Sequence, residues 1–302
     1  MILPLSIVLL LAAFWAWTPD LDRAELLARY QRSAADQVQV DGATLHVRDD
    51  GPRDAPALLF VHGFGASLHS WEAWAQDLAR DFRVLRVDLP GHGLSPPDPR
   101  DDYTDARSLQ LLLGWLDQLG LPQVSVIGHS MGGRIAWTMA ARHPERVQRL
   151  VLVAPDGFAS PGYFEYGKAP EVSSMLKLMQ VALPRPLLAM SLAPAYADRA
   201  AMTDERVTRY HDLLRAPGAR AALLQRMRQT VLTDPVPLLK TIRAPTLLLW
   251  GEQDAMIPPA NADDYLRAIS GSTLVRLPAL GHLPQEEDAA RSLQPVREFL
   301  RP

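Results

Sequence analysis

The sequence predicts an α/β fold, a mostly parallel central sheet flanked by helices. Three observations carry this. Short apolar runs such as Ala57–Val61, Val147–Val153 and Thr246–Trp250 are the length of buried strands, and amphipathic segments separate them. Several of these runs end in glycine-containing loops, where a strand hands over to a helix. From residue 156 to 235 the alternation stops and Leu/Met clusters at helical spacing take over.

Taken in order, Gln37–Val40, the Asp41-Gly42 turn and Ala43–Val47 read as a β-hairpin. Ala57–Val61 is a buried strand, Ser70–Arg80 a helix, and Arg83–Val87 the next strand. Ala106–Leu119 is a helix stopped by Gly120 and Pro122. Gln123–Ile127 is a strand, Gly132–Arg142 a helix of small residues, and Val147–Val153 a further strand. After the interruption, Thr246–Trp250 and Thr273–Leu277 read as strands, and Ala260–Ile269 and Ala289–Arg301 as helices. Strands separated by helices imply right-handed crossovers and a parallel sheet. The expected organisation is an apolar helix and stalk over 1–33, a core of 34–155 and 236–302, and a helical cap over 156–235.

Composition bounds the partners. The 302 residues are 48% apolar with a net charge of −3, so no basic field attracts nucleic acid. There is no cysteine, which excludes disulfides and thiol catalysis. His69, His92, His143 and His211 show no metal-ligand spacing, and neither a Walker nor a dinucleotide pattern is present. No cofactor is required. The first 18 residues carry no charged side chain, and Trp15 and Trp17 sit at their polar end. This segment lacks the basic start and A-x-A site of a cleaved signal, so an uncleaved transmembrane helix is expected. It would anchor the chain in a membrane, with Asp22–Ser33 as a helical stalk, and could join two copies as a homodimer.

The chemistry concentrates at strand ends. Gln123–Ile127 runs into Gly128-His129-Ser130-Met131-Gly132-Gly133, a G-x-S-x-G turn between a strand and a helix. A sharp turn lifts Ser130 above the sheet edge, and Gly128 and Gly132 leave room where strand and helix meet. A serine hydroxyl needs a base, and the base needs an orienting acid. His282, in the loop after Thr273–Leu277, is the candidate base. Asp254, after Thr246–Trp250, is the candidate acid, with Glu252 and Asp156 as rivals. Two backbone N–H groups, from Met131 and from Phe64 in His62-Gly63-Phe64-Gly65, are the candidate oxyanion donors. His62 reads as a locally bonded structural residue.

These motifs, together with Asp88-Leu89-Pro90-Gly91-His92-Gly93 and Gly281-His282, resemble the capped α/β-hydrolase superfamily from about residue 37 to 301. The resemblance implies a serine esterase or lipase. Relatives built like epoxide hydrolases and haloalkane dehalogenases carry aspartate at the nucleophile position, which Ser130 argues against. The apolar N-terminus looks like that of membrane-anchored bacterial lipolytic members, which implies an inner-membrane location. Ester hydrolysis of lysophospholipids, phospholipids or monoacylglycerols through an acyl-enzyme is the expected reaction. A carbon–carbon bond hydrolase, a perhydrolase or a non-catalytic receptor on the same fold are the alternatives.

Overall fold

The computed structural model describes residues 5–159 and 165–301. The expected hairpin forms as β1 (Gln37–Val40) and β2 (Ala43–Asp50), closed by Asp41 and Gly42, both at positive φ. β3 (Ala57–Val61), β4 (Arg83–Val87), β5 (Val124–His129), β6 (Val147–Val153), β7 (Thr246–Gly251) and β8 (Thr273–Leu277) follow. They form one eight-stranded sheet in the order β1-β2-β4-β3-β5-β6-β7-β8. β1, β2 and β4 pair antiparallel, and the rest of the sheet is parallel.

Side chains alternate along the strands, so the central strands feed two cores. Leu59, Val61, Val126, Leu150, Leu152 and Leu248 point to one face. There they meet Leu111 and Trp115 of α4 (Asp105–Gln118) and Ile135 and Met139 of α5 (Met131–Arg142). Leu58, Phe60, Ile127, Val151, Val153 and Leu249 point to the other. Trp74 and Leu78 of α3 (Glu72–Leu78) cover that face, with Leu293 and Val296 of the C-terminal helix Ala289–Leu300. Both faces are therefore buried, which is why these strands read as continuous apolar runs.

The N-terminus corrects the sequence reading. The described part of the apolar helix, α1 (Leu5–Ala16), is 12 residues long. At 1.5 Å per residue it spans about 18 Å, against roughly 30 Å of bilayer hydrocarbon. No helix among the described residues is long and apolar enough to cross a membrane, so the expected transmembrane anchor and membrane location are overturned. Residues 1–4 of that expected segment lie outside the described residues. Nor is 22–33 a projecting stalk. α2 (Arg23–Tyr30) is capped by Asp22, and its Leu26 is buried against Leu94, Leu213, Ala216 and Ala219. Thr18 N–H also donates to Val181 O at 2.8 Å, tying the chain to the insertion as soon as α1 ends.

Between β6 and β7 the described chain is helical: α6 (Ser174–Lys177), α7 (Arg185–Leu192), α8 (Asp204–Leu214), α9 (Ala219–Gln229) and α10 (Val236–Leu239), with short 3₁₀ turns between them. The fold closes with α11 (Asn261–Ala268), α12 (Pro284–Glu287) and α13 (Ala289–Leu300). The insertion lies over the carboxyl ends of the strands. Ala195 O accepts from both His282 N–H (2.8 Å) and Leu283 N–H (3.2 Å). A Cβ on Gly91 would lie 2.3 Å from Ala222 Cβ, so α9 rests directly on the loop after β4.

Candidate active site

Ser130 joins β5 to α5 with φ 53° and ψ −121°, a left-handed conformation that a serine adopts only when its surroundings enforce it. The enforcement is visible. Ser130 N–H donates to Val153 O (3.0 Å), and Ser130 O accepts from Asp156 N–H and Arg134 N–H (both 3.1 Å). A Cβ on Gly128 would lie 2.3 Å from Gly132 O, and one on Gly132 would lie 2.3 Å from Val61 O. Both glycines are thus required by backbone contact, and the turn cannot relax without moving β3.

The loops after β7 and β8 are pressed together in the same way. A Cβ on Gly251 would lie 2.1 Å from Gly281 O, and Gln253 N–H donates to Leu280 O at 2.9 Å. This contact brings Asp254 to His282, with His282 Nδ1 2.7 Å from Asp254 Oδ2. The other carboxylate oxygen, Oδ1, accepts from Met256 N–H (2.8 Å) and Ile257 N–H (2.9 Å). Asp254 is buried and three hydrogen bonds fix it, so it can hold one ring orientation of His282. Neither rival bonds the His282 ring, although Asp156 lines the same cavity. Glu252 is exposed, and Asp156 Oδ1 accepts from Arg134 Nη1 at 2.5 Å.

Ser130 and His282 line one cavity of about 220 Å³. No hydrogen bond joins the Ser130 hydroxyl to His282, a contact that in related sites often tightens only around substrate. Phe64 and Met131 line the same cavity beside Ser130. Met131 is the first residue of α5, so its N–H has no acceptor within the helix. The remaining wall is largely apolar: Phe158 after β6, Met227 and Leu232 from the insertion, and Met256 and Ile257 after β7.

Buried histidines brace the loops around this cavity. His62 Nδ1 lies 2.8 Å from Gly63 O, and its Nε2 accepts from Leu89 N–H at 3.0 Å, so it bridges the loops after β3 and β4. Its expected structural role is what the geometry supplies. His129 Nε2 bonds His282 O at 2.8 Å. Burial holds the imidazoles of His62, His92 and His129 below their ordinary pKa, so they are neutral near pH 7. Asp88 anchors the same region. Burial opposes its ionisation, but a 2.7 Å bond from His46 Nδ1 and neighbouring imidazoles hold its pKa well below the usual range.

Sequence reasoning missed Arg134. It lies one helical turn after Ser130, so it shares that residue's face of α5. Its guanidinium holds Asp105 through Nε (2.7 Å) and Nη2 (3.2 Å), and Asp156 through Nη1. Burial penalises the charge, but the two carboxylates overcome it and raise the Arg134 pKa. Burial dominates at Asp156, and Arg134 only partly offsets it, so that carboxyl is raised. An arginine in the middle of a buried helix rich in small residues was the available signal.

The comparisons agree with this architecture. The sequence model of the alpha/beta hydrolase fold matches residues 56–289, and the chain belongs to that family. It is 30% identical to 2-hydroxymuconate semialdehyde hydrolase of Pseudomonas putida over 295 residues, covering 94% of this chain and 95% of that one. A bacterial membrane phospholipase A superposes with TM-score 0.75 at 26% identity, covering 98% of this chain and 96% of that one. A thermophilic esterase from Thermogutta terrifontis superposes with TM-score 0.72 at 27% identity, covering 88% and 98%.

Proposed function

We propose that the protein hydrolyses carboxylic esters through an acyl-enzyme. Ser130 attacks the ester carbonyl, His282 takes its proton and returns it to the leaving alcohol, and Asp254 orients and stabilises the imidazolium. The N–H groups of Phe64 and Met131 stabilise the tetrahedral oxyanion. Water then repeats the sequence on the acyl-enzyme and frees the acid. The observation that carries this reading is the 2.7 Å contact between His282 and Asp254 on the wall of the cavity that holds Ser130.

The substrates are lipid-like esters of the lysophospholipid, phospholipid or monoacylglycerol type, and the insertion acts as the cap over their acyl group. Apolar side chains from three strand-end loops and from the insertion support this. A cavity of about 220 Å³ encloses the reacting carbonyl and a short acyl segment, since roughly 150 Å³ suffices for a benzene-sized guest. A panel of p-nitrophenyl esters from acetyl to palmitoyl, with glycerol monoesters beside them, tests the reading. The expected result is turnover that peaks at short to medium acyl length, with a burst of p-nitrophenol. Absence of turnover at every length would sink it.

One observation favours a second reading, carbon–carbon bond hydrolysis. The relative named for that substrate class, 2-hydroxymuconate semialdehyde hydrolase, aligns over 94% of this chain. A vinylogous keto acid cleaved far faster than any ester in the panel would decide for it.

A further inference from the structure

We propose that Asp156, clamped by Arg134, is the hydrogen-bond acceptor that selects substrates carrying a free hydroxyl group. This rests on ester cleavage at Ser130 and adds a recognition element to the same cavity.

Arg134 and Asp156 form a charged patch in a wall that is otherwise mostly apolar. Their geometry is fixed from several sides. Asp105 grips Arg134 through Nε and Nη2, which sets the plane of the guanidinium. Arg134 Nη1 then takes Asp156 Oδ1. The Asp156 backbone is held as well. Its N–H donates to Ser130 O (3.1 Å), and its carbonyl accepts from Tyr265 OH (2.7 Å) and Trp137 Nε1 (3.3 Å). The second carboxylate oxygen, Oδ2, accepts no hydrogen bond among the described residues, and the side chain stays 19% exposed where it lines the cavity.

A preorganised acceptor beside the nucleophile discriminates between ligand groups. A hydroxyl donates to Oδ2 and loses little freedom in the protein, because the carboxylate is already immobile. An alkyl group would cover Oδ2 and leave it without a partner, which is the costlier outcome. A carboxylate would meet a like charge. A substrate ammonium would meet the guanidinium already bound to the same carboxylate. Arg226 is buried, lies within electrostatic reach of Asp105 and Arg134, and bonds weakly to Ser108 Oγ (3.3 Å). The patch therefore favours a neutral donor over either ion.

The hydroxyl can sit on the leaving alcohol or on the acyl chain. Four esters separate these sources: propyl hexanoate, 3-hydroxypropyl hexanoate, propyl 6-hydroxyhexanoate and the 3-carboxypropyl ester of hexanoic acid. One of the two hydroxylated esters is expected to exceed propyl hexanoate in kcat/KM by about tenfold, and the carboxylated ester to fall below it. The ratio of hydroxylated to parent ester, measured within each protein, should drop to about one in Asp156→Ala and to an intermediate value in Asp156→Asn. Being internal, the ratio does not depend on the folded fraction of a variant. A wild-type ratio near one for both hydroxylated esters, or a high ratio that survives in Asp156→Ala, overturns the proposal. If Ser130 reacts with a fluorophosphonate yet all four esters turn over equally, hydroxyl selection alone fails. If it does not react and no ester is cleaved, the ester reading fails with it.

Discussion

The two walls of the cavity are built on different principles. The lower wall comes from strand ends, where Ser130, Asp254 and His282 are set by backbone packed against backbone: Gly132 on β3, and Gly251 on the loop after β8. The upper wall comes from the insertion, where Met227 and Leu232 reach the cavity from or just after a helix. Its cores are smaller. Leu223 packs with Ala66, Leu188, Tyr210 and Leu214, while the sheet is filled on both faces. On the proposed reading, rate is set on the sheet side and acyl-length choice on the insertion side, with hydroxyl selection at Asp156 between them.

The largest effect that could break this division is at Ser130. Ser130→Ala should leave thermal unfolding unchanged and lower kcat by roughly 10⁶-fold, as for a triad acting as a unit. Asp254→Asn should cost about 10⁴-fold through the wrong imidazole tautomer, read from kcat on a short-chain ester. If Asp156→Asn were the more damaging of the two, the orienting acid would be Asp156 and the comparison of strand ends would need redrawing. Gly132→Ala places a Cβ against two main-chain carbonyls, Val61 O and His62 O, in a region that cannot yield. A loss of more than about 4 kcal/mol in chemical denaturation is expected, or no folded protein at all.

On the insertion side, effects should be smaller and selective. Met227→Ala should shift the preferred acyl length upward, with kcat on the best ester changed only several-fold, measured across the p-nitrophenyl panel. A uniform loss at all lengths would place Met227 in the chemistry instead. The smallest effect is a pH dependence of stability. His129 is buried and neutral, with its folded pKa held below the unfolded value of about 6.5. Its contribution is complete above that value and is lost as pH falls below it, by at most about 1.4 kcal/mol per pH unit. In His129→Gln, the decline of unfolding free energy between pH 6.5 and 5 should be shallower by up to that amount.

What the sequence revealed follows the same line. Ala57–Val61, Arg83–Val87, Val147–Val153 and Thr273–Leu277 are strands with the expected limits; Ala57–Val61 is buried throughout and reads as an uninterrupted apolar run, while the edge strand Thr273–Leu277 is half-exposed and carries Thr273 and Arg276. The Gly128–Gly133 turn was legible because close backbone contact leaves only glycine. The insertion was legible as helical and no further. Its helices are short, broken by prolines such as Pro184 and Pro194, and stabilised by partners distant in the chain. Arg134 was invisible as a site residue because its partners, Asp105 and Asp156, come from separate elements. The N-terminal run misled for a different reason. Its apolar character was real, but the helix stops at Ala16, and Trp17 and Thr18 turn the chain onto the insertion.

The central claim is that Ser130 is an activated nucleophile. Incubating the full-length protein with a fluorophosphonate and mapping the adduct by peptide mass spectrometry tests it most directly. A single adduct on Ser130 is predicted, absent in Ser130→Ala and slowed in Asp254→Asn. A folded protein left unmodified, or modified at a different serine at the same rate in Ser130→Ala, would contradict the account.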